Sequence, residues 1–462
     1  MTDDLDNQPA KVSRRGLLTA AAAAGSGAAA LAGRAQAAAT VGSNVNRGSQ
    51  AGRKFRAFVV DGTEAGVREM RLLPVQPREV VVRVEAAPAC ISLAILARAA
   101  LKLPLAPGFP STGPALASGS PSILGHCSVG VVEAVGDMVR RVRPGDRVLV
   151  PGTPQCGQCY QCLRGRSDWC QFMGTTAEPL ATLDDGKQVI PGLHLGGLGE
   201  MTVVVEEYCV PVFTDLPPAQ LAMLADCAGI GMAAGMNLAP IEPGSDVVIF
   251  GCGPLGLGSV QAARIVGAAQ IIAIEPVKAR REAALKLGAT LALDPNVEGD
   301  SLVRRLRELC KGKTDRWNAG GRRWDPTIPA GEGADFTIEA VGGDIFAPKV
   351  ESGPDPTGIT PMKQALAATR AGGQLTYMGV QQRGELSFAP AEIANAGRTI
   401  HAGQMGGMHV MRDLPRYVRL AEKGSLDLAS MVTMTRGIDG VVELLTAAAQ
   451  RTTIGAIAVF NS

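Results

Sequence analysis

Aromatic residues are scarce in this chain: Phe, Trp and Tyr together fill 4% of its 462 positions. That leaves little material for aromatic stacking surfaces. Net charge is equally slight, with 45 Lys and Arg against 43 Asp and Glu, and no long basic run occurs. Nothing electrostatic therefore points to nucleic acid as a partner. A long apolar run is missing too. The apolar stretch at residues 17–31 is mostly Ala with Gly and Ser, too short and too weakly apolar to span a bilayer stably. What is abundant is Gly, at 57 residues, within a chain that is 46% hydrophobic. Such a composition buries a large core between tight turns, and it leans towards an α/β enzyme of two or three domains.

The first 39 residues have the three-part layout of an export signal. Ser13-Arg14-Arg15-Gly16-Leu17-Leu18 is a twin-arginine pair leading into the apolar stretch, and Ala35-Gln36-Ala37 offers small residues for cleavage. A disordered or mitochondrial-type presequence is the plainer alternative, and the order of charge, apolar core and cleavage site favours export. The expected destination is the periplasm or the cell exterior, with no stable membrane span once the signal is removed. Twin-arginine signals serve folded proteins, so metal and cofactor would be inserted beforehand.

From residue 54 to 215 the pattern is of short strands, at 55–60, 79–84, 130–135 and 146–150, with a Pro-rich loop at 103–121. Near residue 216 the character changes. An Ala-rich helical stretch to Leu238 leads into a fully apolar strand at 246–250, a Gly-rich turn, a helix at 255–266 and a second strand at 270–274. That is a βαβ unit. Further alternation to residue 385 predicts a parallel sheet: helix 277–287, strands 291–293 and 334–340, helix 361–370, strand 373–380. The remainder, 386–462, ends in a strand at 455–460 that is expected to return to the first domain.

Two motifs carry chemistry on their own. Cys156, Cys159, Cys162 and Cys170 follow the spacing x2, x2, x7 on a short lobe where Gly157 and Gly165 let the backbone wrap. Four soft ligands in tetrahedral reach suit a structural zinc; two disulfides or an iron-sulfur cluster are the alternatives, and x2 spacing strains a disulfide loop. The second motif is Gly251-Cys252-Gly253-Pro254-Leu255-Gly256 after the apolar strand. Its glycines permit a tight turn and close approach of a pyrophosphate to a helix N-terminus. Glu275, about twenty residues on, stands where an acid bonds ribose hydroxyls and repels a 2′-phosphate, favouring NAD. A Gly-rich turn without a ligand is the alternative.

Three further segments join these two: Gly125-His126 followed by Gly130, Gly136 and Pro144-Gly145-Asp146-Arg147-Val148; Asp226-Cys227; and Ala89-Cys90-Ile91-Ser92. Together, from about Phe55 to Phe460, the chain resembles the zinc-containing medium-chain alcohol dehydrogenases. The resemblance implies a GroES-like catalytic domain built from both chain ends, a Rossmann domain between them, and two zinc ions per chain. Cys90, His126 and Cys227 match the three protein ligands of the catalytic zinc, leaving the fourth position for substrate. Ser92 matches the hydroxyl that passes the alcohol proton onward. The reaction implied is hydride transfer between an alcohol, or its aldehyde or ketone, and NAD. An aldehyde dismutase or formaldehyde dehydrogenase of the same family stays open, as does a catalytically silent zinc-binding relative. A homodimer or homotetramer is implied likewise.

The chain also departs from that pattern. Cys127 follows the ligand His where Glu is usual, as a bystander or as a competing fourth ligand. Ile91, Leu93 and Ile95 replace a basic residue, an acid and a relay His, and Gly455 stands where an Arg often precedes the last strand. Residues 311–332, with Trp317 and Trp324, and 343–361 are longer than the family needs. They read as surface insertions or, joined to the export signal, as segments that close over NAD, which a second substrate or an external electron acceptor would then reoxidise in place.

Overall fold

The structure is a computed structural model that describes residues 50–107, 120–173, 178–311, 331–347, 349, 358–380, 384–388, 390–394 and 396–460. Arg47–Ser462 form one compact unit. The expected export signal, most of residues 311–332 and about half of residues 343–361 lie outside the described residues.

Ten short strands come from the first half of the chain: β1 (Lys54–Asp61), β2 (Glu64–Leu72), β3 (Glu79–Pro88), β4 (Ser122–Ile123) and β5 (Ser128–Val135), then β6 (Arg147–Val150), β7 (Ala181–Thr182), β8 (Gln188–Pro191), β9 (Met201–Val205) and β10 (Val210–Pro211). Five of them close a small barrel in the order β1-β2-β7-β8-β4. The others build a second sheet around β3, whose apolar run Val80, Val81 and Val82 is fully buried between β5 and β9. A buried central strand on this scale reads as a continuous β-branched run. Directly after β3 the chain turns through Cys90 into helix α1 (Ile91–Leu96).

Next come α2 (Pro218–Ala225) and α3 (Cys227–Ala233). The sequence predicts one helix here. Instead the axis breaks at Asp226, which leaves the helical region with φ −122 and ψ −125, and the two pieces are bent by 50°. No single helix among the described residues is long and apolar enough to cross a membrane.

The nucleotide-type domain follows as β11 (Asp246–Phe250), α4 (Pro254–Val266), β12 (Gln270–Ile274), α5 (Lys278–Leu287) and β13 (Leu291–Leu293), then α6 (Leu302–Leu309), β14 (Ala334–Glu339), α7 (Ile359–Ala368), β15 (Thr369–Tyr377) and β16 (Thr399–Ala402). All six strands are parallel, in the order β13-β12-β11-β14-β15-β16. Numbered within the sheet this is 3-2-1-4-5-6, the doubly wound order with its switch point between β11 and β14. Pro254 at the first turn and Gly267 at φ 89 after the last punctuate α4. The mixed architecture of a β-rich catalytic part and a Rossmann-like parallel sheet is as expected.

Two boundaries move. Strand β15 starts at Thr369 rather than 373, because Gly372, at φ 77, is absorbed in an irregularity of the pairing with β14 instead of breaking the strand. The division at residue 386 falls too early, since β16 still belongs to the parallel sheet. Helix α8 (Val410–Glu422), with Pro415 inside it, follows that strand. The return begins with β17 (Val432–Arg436), passes through α9 (Val441–Ala449) and ends in β18 (Gly455–Val459), which pairs antiparallel with β3 through Ile457 opposite Pro88.

The two parts meet along α3 and α4 at glycines: a Cβ on Gly231 would lie 2.0 Å from the Leu255 carbonyl oxygen, and one on Gly258 2.5 Å from that of Ala228. They meet again after β14. There Ile345 and Phe346 sink into the catalytic core with Leu93 and Leu444, Ala106 N–H donates to the Ile345 carbonyl at 2.9 Å, and the buried Asp344 pairs with Arg451.

Candidate active site and metal centres

In the cysteine lobe, Cys156, Cys159, Cys162 and Cys170 bring their sulfurs within 4.8 Å of one another. All are free thiols, the nearest sulfur pairs being 3.9 and 4.0 Å apart, so no disulfide links them. Backbone amides turn inward: Cys159 N–H donates to Cys156 Sγ at 3.2 Å and Gln171 N–H to Cys159 Sγ at 3.5 Å. Burial opposes ionisation of Cys159, yet the amides of Gln171 and Cys162 outweigh it and bring its pKa down to about 6. Inward amides around four clustered sulfurs stabilise negative charge, as a closed zinc site requires.

The second cluster gathers residues remote in sequence. Cys90 sits at the β3–α1 turn, Cys227 opens α3, and His126 and Cys127 lie between β4 and β5. Cys90 Sγ and Cys227 Sγ are 3.8 Å apart. Ser92 Oγ lies 2.8 Å from His126 Nε2, and Cys127 Sγ lies 3.2 Å from His126 Nδ1. The shared hydrogen bond with Cys227 and the His126 imidazole hold the Cys90 thiol well below its ordinary range, and the same bond raises Cys227. Burial pulls the imidazole down, but Asp226 and Cys127 outweigh it and hold His126 well above its ordinary value. Burial pushes Cys127 up to about 11. Two half-buried thiols and a half-buried imidazole converging on one point are a donor set that fits zinc.

Asp226, which the sequence offered only as the neighbour of Cys227, was given no site role there. It is buried, and a carboxylate oxygen lies within 4.8 Å of the donor atoms of Cys90 and Cys227, and likewise of His126 and Cys127. The signal was available: Asp226 is the only charged residue between Pro218 and Leu238.

At the nucleotide turn, Gly251 adopts φ 88, and a Cβ on Gly256 would stand 1.8 Å from the Gly251 carbonyl oxygen, so both must be glycine. Gly253 caps α4, a Cβ there meets nothing within 4 Å, and Pro254 and Leu255 form its first turn. An open glycine at a helix N-terminus beside the sheet's switch point fits a pyrophosphate. Glu275 follows β12 but is buried. Its Oε2 accepts the Cys252 N–H at 2.7 Å and its Oε1 the Val277 N–H at 2.9 Å. The carboxylate thus braces the glycine turn, each oxygen keeping a further lone pair.

Comparison with known proteins bears on both centres. Residues 76–218 match the alcohol dehydrogenase GroES-like domain and residues 254–352 the zinc-binding dehydrogenase domain. An S-(hydroxymethyl)glutathione dehydrogenase of Haemophilus influenzae is 30% identical over 332 residues, which cover 70% of this chain and 78% of that protein. The chain belongs to the zinc-containing medium-chain alcohol dehydrogenases. The class-3 alcohol dehydrogenase of Myxine glutinosa is 28% identical over 332 residues, covering 70% of this chain and 79% of its own. Benzyl alcohol dehydrogenase of Acinetobacter calcoaceticus shares the fold with a TM-score of 0.69 at 23% identity, over 88% of this chain and 100% of its own. As a member of this family the chain is a zinc-dependent oxidoreductase that moves hydride between an alcohol, or its carbonyl counterpart, and NAD.

The departures from the family pattern have packing reasons. Leu93 and Ile95 are buried in the catalytic core, where a charged residue would lack solvation. A side chain at Gly455 would meet Met223 Cε at 2.1 Å and the Met431 carbonyl at 2.4 Å, so no Arg fits there. With Leu93 apolar, the Nδ1 side of His126 is met by Cys127 instead of an acid.

Proposed function

We propose that Cys90, His126 and Cys227 hold the catalytic zinc, that Cys156, Cys159, Cys162 and Cys170 hold the structural one, and that NAD lies against Gly251, Gly253, Pro254, Leu255 and Gly256 with Glu275 behind the turn. The observation that carries this reading is the 3.8 Å approach of the Cys90 and Cys227 sulfurs beside His126. Zinc bound there supplies the Lewis acidity that makes a substrate hydroxyl acidic, and NAD supplies the hydride acceptor. The chain's own residues do the rest. Ser92, within hydrogen-bond reach of His126 Nε2, is placed to take the hydroxyl proton once the imidazole is engaged. Leu93 and Ile95, buried in the core, offer no polar group to carry that proton further. Glu275 fixes the Cys252 amide and so the shape of the turn, while its charge opposes a 2′-phosphate.

The reading extends to export. The layout of residues 1–39 supports a twin-arginine route to the periplasm or exterior, and a cofactor held tightly enough to travel with the folded enzyme, since free NAD is scarce outside the cytoplasm. The substrate is an alcohol or carbonyl compound, and the names of the glutathione-linked relatives favour testing formaldehyde adducts and aldehyde dismutation beside simple alcohols. The decisive measurement is metal content and alcohol-dependent NADH formation in the wild type and in Cys90→Ala. Two zinc ions per chain falling to one, with activity abolished, is expected; two ions retained in the variant would refute the ligand assignment. Gel filtration that strips all nicotinamide absorbance would remove the tight-cofactor part, and cytoplasmic retention of the wild type would remove the export part.

A further inference from the structure

Resting on the ligand assignment above, we propose that Asp226 supplies a fourth, displaceable oxygen donor to the metal held by Cys90, His126 and Cys227. Three observations point to it. The carboxylate is the one member common to the two donor groups, Cys90–Asp226–Cys227 and His126–Cys127–Asp226, with one of its oxygens within 4.8 Å of every other donor atom in each. Its Oδ2 is buried and has no hydrogen-bond partner among the described residues. Leaving a carboxylate oxygen so is costly unless a cation answers it. Finally, Asp226 interrupts the helix: the backbone leaves helical geometry at this residue alone, between α2 and α3. In a continuous α-helix, side chains at adjacent positions diverge by about 100°, so the break lets Asp226 and Cys227 face the same point.

The residues would then offer a bound zinc two thiolates, one imidazole and one carboxylate, four protein donors in all. A substrate oxygen would have to take the place of the carboxylate. Cys127, at hydrogen-bond distance from His126 Nδ1, is a positioning residue on this view and not the closing ligand.

The test exchanges Co(II) into the more labile of the two metal sites of the full-length enzyme and follows its visible spectrum during titration with azide and with imidazole, in wild type, Asp226→Ala and the near-isosteric Asp226→Asn. Dissociation of the metal into a chelator is timed in parallel. The expected result is a wild-type spectrum that resists azide, an Asp226→Ala spectrum that responds at concentrations at least tenfold lower, and metal loss about tenfold faster in both variants. Asp226→Asn keeps the volume, so it serves if the Ala variant does not fold. Equal azide response and equal release in wild type and variants would overturn the role of Asp226 while leaving the other three ligands intact. A wild type that takes up metal only at the Cys156–Cys170 lobe would overturn the ligand assignment as well.

Discussion

Substituting Gly231 by Ala tests whether the metal cluster and the nucleotide turn are positioned by one helix crossing. Cys227 opens α3 and the Gly251–Gly256 turn opens α4, and the two helices touch where Gly231 faces the Leu255 carbonyl. An added Cβ would lie 2.0 Å from that oxygen and 2.8 Å from Ser259 N, against the 3.4 Å at which ordinary contact begins. The neighbours are backbone and cannot rotate away, so the helices must part by about 1.4 Å, an overpacking that costs about 1–3 kcal/mol. Better helix propensity returns up to about 1 kcal/mol. A net loss of about 1–2 kcal/mol lowers Tm by a few degrees in a chain of this size. The effect on rate is larger, because misplacing reacting groups by about 1 Å costs about a hundredfold. Calorimetry, zinc analysis and steady-state kinetics are compared between wild type, Gly231→Ala and a control, Gly437→Ala, where a Cβ meets nothing within 4 Å. The expected signature is a hundredfold loss in kcat/KM at unchanged zinc content, with the control indistinguishable from wild type. A Gly231→Ala enzyme within twofold of wild type in kcat/KM and within one degree in Tm would refute the reasoning.

Four other outcomes are expected. Cys170→Ser removes one proposed zinc ligand from the lobe, so metal analysis should show one ion per chain fewer and thermal unfolding should begin earlier; unchanged zinc content would count against a structural site. Glu275→Gln drops the charge and, having a single acceptor oxygen, can keep only one of the two bonds from the Cys252 and Val277 amides; fluorescence titration should show NADPH binding improved about tenfold relative to NADH, or about 1.4 kcal/mol, and an unaltered ratio would mean that the carboxylate only braces the turn. Burial raises Cys209 and Cys310 to about 12, and a raised thiol pKa means that the neutral form persists as pH climbs. At pH 8 the thiolate fraction is about 10⁻⁴, against about a quarter for a free cysteine, so mass spectrometry should find both unalkylated in the native enzyme, and labelling before unfolding would contradict their burial. Asp344→Ala takes the buried carboxylate from beside Arg451, a loss of about 3–5 kcal/mol where such pairs are broken one-sidedly. Denaturant titration measures it, and a midpoint unchanged from wild type would show the pair to be unimportant.

Much of the architecture was legible because its signals are local. The run Asp246–Phe250 is apolar throughout and ends in Gly251-Cys252-Gly253, so strand, turn and helix could be placed from spacing alone, and β12 and β13 fall on their predicted residues. The cysteine lobe was equally plain, its four clustered thiols lying within one short segment. What escaped was whatever depends on partners far along the chain. The break at Asp226 is invisible to helix propensity, since a lone acid in an Ala-rich run reads as a solvated position. Helix α8, with Pro415 inside it, was not read from the sequence at all. The bulge at Gly372 exists only because β14 lies alongside. The meanings of Gly455 and Leu93 likewise needed the packing around them: one has no room for a side chain, and the other belongs to the core.

The pairing of the final strand with β3 has a consequence for synthesis. The last residues of β3, just before Cys90, are held by Ile457, Ala458 and Val459, and the Ala89 N–H donates to the Ala456 carbonyl at 2.8 Å. A ribosome adding roughly 5–20 residues per second makes these two segments on the order of half a minute apart. Through that interval the turn carrying the proposed ligand Cys90 lacks its pairing with β18, although β5 and β9 can already hold the rest of β3. The four sulfurs of the cysteine lobe come from residues 156–170 alone, whereas the second cluster leans on a strand made about 370 residues after β3. Loss of β18 is therefore expected to loosen the Cys90 turn while leaving the lobe as it is.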